Sequence, residues 1–376
     1  MGNKITKFHK ASPLTQRERP FKNKHQYILA IDTSCDETSA AVTDGLNILS
    51  NVVWSQASLH AKFGGVMPSL AKRIHEDKID WVIDKALKQA FSKHLSSKLS
   101  KHLDGIAVTA GPGLAIALEV GITKAKQLAN KYQLPIMPIN HIEAHALSAL
   151  AERQDKITFP AIALVASGGN TQCILINKIG EYEILAQTRD DALGEALDKA
   201  ARMLGLGYPG AALLEKMARL GNPQAFPLPI PLVGQKVNYY SYSGVKTALY
   251  RLVQKLEAES KLDRQAVYDL AATFQHVAFK HFTNISFDQI QKYKVKYLLC
   301  GGGVMANNEL RKRIRTLSRI YGIIPLFPYT KKLCGDNAAM IGVTAFLRGV
   351  SNHLKDIQRI PKWAICGEPA RTRPQS

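Results

Sequence analysis

The stretch Tyr27-Ile28-Leu29-Ala30-Ile31-Asp32-Thr33-Ser34-Cys35-Asp36-Glu37-Thr38-Ser39-Ala40-Ala41-Val42 decides how the rest of the chain is read. An apolar run, a small polar loop and a return to apolar residues describe two strands joined by a turn rich in hydroxyl and carboxylate groups. The same grammar returns about 130 residues later: Ala161 to Val165 leads into Ser167-Gly168-Gly169-Asn170-Thr171, and Cys173 to Ile176 leaves it. Two copies of one hairpin predict a duplicated α/β architecture whose loops face each other across a cleft. Glycine lets the backbone approach a ligand closely with its N–H groups turned inward, so loops of this kind hold phosphates.

Working outward, two further runs pass from strand through glycine into helix. Ile106 to Thr109 enters Ala110-Gly111-Pro112-Gly113 and then helical spacing from Leu114 to Ala129; Tyr297 to Cys300 enters Gly301-Gly302-Gly303-Val304-Met305-Ala306-Asn307. Such turns cluster where open α/β sheets bind ligands. A helix is predicted from about Asp191, carrying Glu195 and Asp198, with Gly207 or Gly210 as its C-cap and a Pro-rich loop up to Pro231 beyond. Arg311, Arg315 and Arg319 recur opposite Leu310, Ile314 and Leu317, which predicts an amphipathic helix with a cationic outer face. Ser92 to Lys101 reads as a solvated connector. The expected organisation is a basic disordered arm over 1–26, a lobe over 27–150, a second lobe over 151–350 and a tail over 351–376, with the lobe boundary near 147–158.

With 376 residues, 46% hydrophobic and 21% charged, the chain is long enough for one large or two ordinary domains and reads as soluble and globular. No apolar run approaches the roughly 20 residues of a membrane-spanning helix, and the N-terminus shows no signal-peptide core. A cytoplasmic location is expected. The five cysteines are scattered without a Cys-x-x-Cys pair, as suits reduced thiols. Fifty Lys and Arg against thirty Asp and Glu give +20, an excess that attracts a polyanion, nucleic-acid backbone above all. Residues 1–25 hold seven of these cations and the single acid Glu18, with Pro13 and Pro20. Met1 to Thr6 also matches a myristoylation pattern, set aside as chance.

In Asn140-His141-Ile142-Glu143-Ala144-His145 two imidazoles four apart share one helix face. Asp336, in Cys334-Gly335-Asp336-Asn337-Ala338-Ala339-Met340, supplies a carboxylate that completes a three-ligand metal site with open positions. The bland alternative is a helix start capped by Asn140, with Glu143 reaching back in a capping box. That leaves the histidines without a task. A zinc peptidase is excluded, because Glu143 lies about 200° round the helix from His141 and cannot act as base on a metal-bound water.

Thr33 to Thr38, the His141/His145 pair, Ser167 to Thr171, Asp191 to Lys199, Tyr242-Ser243-Gly244-Val245-Lys246-Thr247, Gly302 to Asn307 and Asp336 to Met340 together resemble the universal tRNA N6-adenosine threonylcarbamoyltransferase family, in the family's order over about residues 27–345. The resemblance implies an actin-like, sugar-kinase-like (ASKHA) fold of two lobes with the ligand cleft between them. It implies transfer of a threonylcarbamoyl group from threonylcarbamoyl-AMP to N6 of the adenosine at position 37 of tRNAs reading ANN codons, releasing AMP. By the same resemblance His141, His145 and Asp336 bind one divalent ion, iron or zinc, and Ala166, Ser167, Gly168, Gly169, Asn170, Asp198, Gly210, Ala211 and Asn307 hold the adenylate. Companion proteins, a paralogous scaffold subunit and a small ATPase, are implied partners beside tRNA.

A mixed anhydride is already activated, so the protein mainly orients it and neutralises developing charge. Asp36 and Glu37 are the candidates for receiving the amine proton; hydrogen bonding within their own turn is the alternative. Lys246 is expected to meet a phosphate. The sequence departs from the usual pattern twice. Asn170 stands where many bacterial members carry His, as in archaeal and eukaryotic members. Ala211 follows Gly210 where a second glycine is usual, at a cost of about 1 kcal/mol if that position needs a positive φ. The rival readings are a small-molecule kinase or ATPase of the same fold and a non-catalytic scaffold paralogue, against which the retained metal ligands argue.

Overall fold

The computed structural model describes residues 25–91, 103–349 and 357–366. The basic arm up to residue 24, the Ser92 to Lys101 connector and the tail segments 351–356 and 367–376 lie outside them.

The opening stretch folds as a hairpin: β1 (Tyr27–Asp32) pairs antiparallel with β2 (Glu37–Asp44), Asp32 opposite Ser39. β3 (Asn47–Ser55), α1 (Ala57–His60), α2 (Pro68–Ala90), β4 (Gly105–Gly111), α3 (Ala115–Tyr132), β5 (Ile136–Asn140) and α4 (His141–Leu147) complete the first half. The second half begins with β6 (Ala161–Ala166), β7 (Thr171–Lys178) and β8 (Glu181–Thr188). It continues through α5 (Leu193–Met203), α6 (Ala211–Ala218), β9 (Tyr239–Tyr240), α7 (Ser243–Ala258) and α8 (Arg264–Ile290). β10 (Tyr297–Gly301), α9 (Asn308–Ile320), β11 (Ile324–Leu326) and α10 (Ala338–Arg348) follow.

The first sheet has the order β3-β2-β1-β4-β5 and the second β11-β10-β6-β7-β8-β9. Without the short edge strand β9 the two share one plan. Three antiparallel strands form a meander, and two parallel strands extend it beyond the first. The repeated hairpin in the sequence is therefore a repeated sheet.

Both faces of β1 are covered, which is why its sequence is apolar rather than alternating. Leu29 and Ile31 pack against α2 and α3 residues such as Ile79, Val82, Leu118 and Ile122. Ile28 and Ala30 face Ala339, Met340 and Ile341 of α10. Helix α4 is wedged between the sheets, with Ala144 in that same cluster and Ile142, Ala146 and Leu147 against Ala163, Val165 and Leu299 of the second sheet. Gly301 permits this approach: a Cβ there would stand 1.8 Å from the His145 carbonyl oxygen. The segment 357–366 crosses back to the first half. The Ile360 N–H donates to the Ala110 carbonyl (2.7 Å), the Gly113 N–H to Pro361 (3.1 Å), and Ile357 and Trp363 join the α2/α3 core. Ile365 and Cys366 pack in the cluster on the other side of α4.

Several local expectations are corrected. α5 starts at Leu193, with Ala192 extended before it and Asp191 paired with Lys199 and Lys246, and it ends at Met203, with Leu204 as C-cap and Gly205 in the left-handed region at φ +73. Gly207 lies in the following loop, and Gly210 is the N-cap of α6. On α9 the cationic face is narrower than expected. Arg311 is buried, its Nε donating to the Met305 carbonyl (2.6 Å), its guanidinium reaching Cys334 Sγ (3.1 Å) and lying over the Phe327 ring. The arginine stem is apolar and its donors find partners, so it belongs with Leu310 and Ile314. Glu143 makes no capping box. Asn140 caps α4 by accepting the Ile142 and Glu143 N–H groups, while the Glu143 carboxylate turns away to accept the Tyr182 hydroxyl at 2.5 Å.

Candidate active site and metal centre

The two hairpin loops face each other across a cleft of about 780 Å³, a volume suited to a nucleotide-sized ligand. One wall is Ser34 to Glu37 with Pro112 to Leu114; the opposite wall is Ser167 to Asn170. Glu195, Asp198, Lys199 and Arg202 line it from one face of α5, beside the Tyr208-Pro209 turn, and Gly64 to Val66 border it from the first half. His141 and Asp336 lie at its base.

The predicted residues fall into two groups. Asp36, Glu37, Ser167, Gly168, Gly169, Asn170 and Asp198 line the cleft directly. Ala166, the end of β6, is buried beneath the glycine loop, whose turn is closed by the Ser167 N–H donating to Asn170 O and the Asn170 N–H donating to Ser167 Oγ. Gly210 and Ala211 stand behind Asp198, both donating backbone N–H bonds to its Oδ1 at 2.8 Å. Ala211 is the first residue of α6 and has no positive φ, so alanine carries no strain there. Asn307 is the N-cap of α9. Its Oδ1 accepts the Glu309 and Leu310 N–H groups and its Nδ2 donates to Gln275, so its amide is spent within the fold. Lys246 pairs with Asp191 and does not line the cleft, which corrects its expected place at a phosphate.

Around the acidic loop, burial pushes the Glu37 carboxyl well up, with Asp336 and Asp36 adding to it, while Ser55 Oγ donates to Glu37 at 3.1 Å and works the other way. His75 fixes the loop from behind: its Nε2 reaches the Cys35 carbonyl (3.0 Å) and its Nδ1 the Thr38 hydroxyl (2.8 Å). Since a carbonyl only accepts, Nε2 carries the proton and Nδ1 accepts from Thr38. For Asp198, burial raises the carboxyl although two N–H groups oppose it.

His141, His145 and Asp336 offer three ligand atoms within 4.8 Å of one another. His145 Nε2 stands 3.0 Å and His141 Nε2 3.5 Å from the same Asp336 oxygen. The rings are 4.6 Å apart at 79°, so each presents an edge to the common point. Burial alone pulls the His141 imidazole down, but Asp336 and then Asp32 outweigh it and hold it at about 9. Burial works to raise Asp336, and His141 and His145 overcome it, keeping that carboxyl far below its ordinary range. The donor set fits a divalent ion: two imidazoles and one carboxylate, converging from one side at the base of an open cleft, suit iron or zinc with positions left over.

Sequence reasoning found Glu195 and Asp198 but passed over Lys199 and Arg202. All four recur at helical spacing on one face of α5, a signal readable in advance. It also missed Asp32, which reads as the first residue of the small polar loop, and Tyr208, whose phenol is pushed up to about 12 by burial and the nearby Asp36 and Asp198.

A cleft between duplicated sheets, with glycine and acidic loops opposed over a metal-suited triad, defines an actin-like (ASKHA) two-lobe fold with a candidate site in its cleft. Two solved structures share the fold: T. kodakarensis HypF (TM-score 0.56, 17% identity, 87% of this chain and 48% of that one) and a full-length HypF in phosphate- and nucleotide-bound form (TM-score 0.54, 12% identity, 86% and 55%). The model of the family TsaD, tRNA N6-adenosine threonylcarbamoyltransferase, matches residues 47–343. A protein of that name from Geotalea uraniireducens is 43% identical over 341 residues, 90% of this chain and 96% of the relative. One from Bartonella tribocorum is 42% identical over 360 residues, with 90% and 95% covered. The chain belongs to the tRNA N6-adenosine threonylcarbamoyltransferase family and is a transferase that acts on tRNA. No helix among the described residues is long and apolar enough to cross a membrane.

Proposed function

We propose that the chain transfers the threonylcarbamoyl group of threonylcarbamoyl-AMP to N6 of adenosine 37 in tRNAs reading ANN codons and releases AMP. The observation that carries this reading is the placement of the triad at the base of the cleft, under a glycine loop that suits a phosphate. Ser167 to Asn170 and Asp198 hold the adenylate, while the Gly210-Ala211 turn supports it by fixing the Asp198 carboxylate; Ala166 sets the loop's base, and Asn307 acts indirectly by capping α9. Arg202, on the cleft face of α5, supplies positive charge for the phosphate.

His141, His145 and Asp336 hold one divalent ion, iron or zinc. When bound, it supplies Lewis acidity and a template for a carboxylate or anhydride oxygen. The chain's own residues orient the activated donor against the amine. Glu37 is the better placed of the two loop carboxylates to take the amine proton, since burial beside Asp336 raises its proton affinity, and a dication at the triad tempers that rise. Asp36 shapes the loop through its carbonyl, which accepts the Gln56 N–H at 2.9 Å. The excess of 20 positive charges serves the tRNA. A paralogous scaffold subunit and a small ATPase are the proposed companions, and the five free thiols support a cytoplasmic setting.

The test is a reconstituted assay with synthetic threonylcarbamoyl-AMP and unmodified tRNA transcripts, reading threonylcarbamoyl-adenosine by mass. His141→Ala, His145→Ala and Asp336→Ala each lose bound metal and most product while remaining folded. Wild-type metal content in all three variants sinks the triad; ATP turnover that depends on a small acceptor points instead to a kinase.

A further inference from the structure

Asp32 ends β1, fully buried. Its two oxygens have different surroundings. Oδ1 accepts the Ser34 N–H at 3.2 Å, which fixes the start of the acidic loop. Oδ2 has no hydrogen-bond partner among the described residues, and it faces His141 Nδ1 at 3.6 Å, a nitrogen that also has none. Burying both polar atoms unpaired is unfavourable, and each is the complement the other lacks.

The other end of the same ring settles what the pairing is for. His141 Nε2 points to the Asp336 oxygen that His145 Nε2 also approaches. A neutral imidazole has one N–H and one lone pair. For Nε2 to give its lone pair to a metal, the proton must sit on Nδ1, and Asp32 is the carboxylate standing there. Nothing equivalent serves His145, whose Nδ1 is buried without a partner among the described residues.

We propose that Asp32 is a positioning residue of the metal centre: it receives the His141 Nδ1–H, fixing the tautomer and ring orientation that present Nε2 to the ion. The inference rests on the metal reading of the triad. A carboxylate behind a ligating histidine raises its basicity and typically changes metal affinity 10- to 100-fold. Because Asp32 also anchors Ser34, it links the loop of Asp36 and Glu37 to the metal helix through one side chain.

The experiment uses full-length protein stripped by chelator and titrated with zinc by calorimetry, with cobalt(II) absorption as a second readout. Asp32→Asn keeps the shape and an acceptor for Ser34, but its single oxygen can stand at only one of the two carboxylate positions, so the other, now an NH2 donor, cannot accept the His141 Nδ1–H. The expected result is zinc bound about 10- to 100-fold more weakly, altered cobalt bands and an apo unfolding transition like wild type. Long-range proton–nitrogen NMR on zinc-loaded wild type, with histidine labelled in nitrogen-15, needs no variant and is expected to show His141 protonated on Nδ1. Unchanged zinc affinity in Asp32→Asn, or a proton on Nε2 of His141, overturns the role of Asp32 while leaving the metal site standing. Failure of the wild type to bind either metal overturns the metal reading and this inference with it.

Discussion

Acidification should destabilise the second lobe through a single residue, His281. This ring, in α8, is fully tied up: the Ser241 N–H donates to its Nε2 at 3.1 Å and its Nδ1 stands 3.0 Å from the Pro231 carbonyl. A backbone N–H only donates and a carbonyl only accepts, so the ring is neutral with its proton on Nδ1. Protonating Nε2 breaks the Ser241 bond and places charge in a buried site. Burial accordingly lowers His281 from 6.5 to about 4, although Pro231 and Asp190 oppose it. The unfolded chain takes up the proton near pH 6.5 and the folded one only near 4, so between these values the unfolded state binds more protons. Stability is complete above about pH 6.5 and falls as pH drops toward 4, by about 3 kcal/mol at roughly 1.4 kcal/mol per pH unit. Urea unfolding at half-unit steps from pH 7.5 to 4, on wild type and His281→Gln, measures it. Glutamine does not titrate and offers a comparable acceptor, so the difference between the two proteins isolates this one group from the other buried histidines. Parallel curves for the two proteins would refute the assignment.

Three further outcomes are expected. Ala211→Gly should lower stability by up to about 1 kcal/mol, since glycine weakens a helix and no positive φ offsets it, and should leave adenylate affinity unchanged; a gain in thermal stability contradicts this. Tyr182→Phe removes the hydroxyl that the buried Glu143 accepts from and should cost about 1–3 kcal/mol by chemical denaturation, whereas a neutral result shows that another donor replaces it. Gly301→Ala drives a methyl into the His145 carbonyl and should displace α4 and weaken zinc binding; calorimetry showing wild-type affinity rejects the close contact.

What the sequence disclosed was whatever repeats locally. The hairpin at 27–42 and its echo at 161–176 announced both sheets, because apolar runs and small-residue turns are written in consecutive residues. The His141/His145 face and Asp336 were legible as chemistry, and the structure puts all three ligand atoms within 4.8 Å of one another. Contacts between distant segments were not legible. Glu143 meets Tyr182 across 39 positions, and the Asn140 side chain donates to the Trp363 carbonyl across 223. Arg311 read as a surface cation because charge alone does not reveal a guanidinium whose donors are met by a carbonyl and a thiol. Asp32 read as one more residue of the polar loop, since its significance lies in an unpaired oxygen turned toward another element.

The return of α10 and of 357–366 to the first sheet bears on how the chain is made. All five strands of that sheet are present once residue 140 has been synthesised, yet the face formed by Ile28 and Ala30 waits for Ala339, Met340 and Ile341. A ribosome adding 5–20 residues per second leaves that face uncovered for about 10–40 s over the intervening roughly 200 residues. The first lobe is thus begun first and finished last, and the nascent chain carries an apolar sheet face through most of its synthesis that only its own late helix, or a chaperone in the interval, can shield.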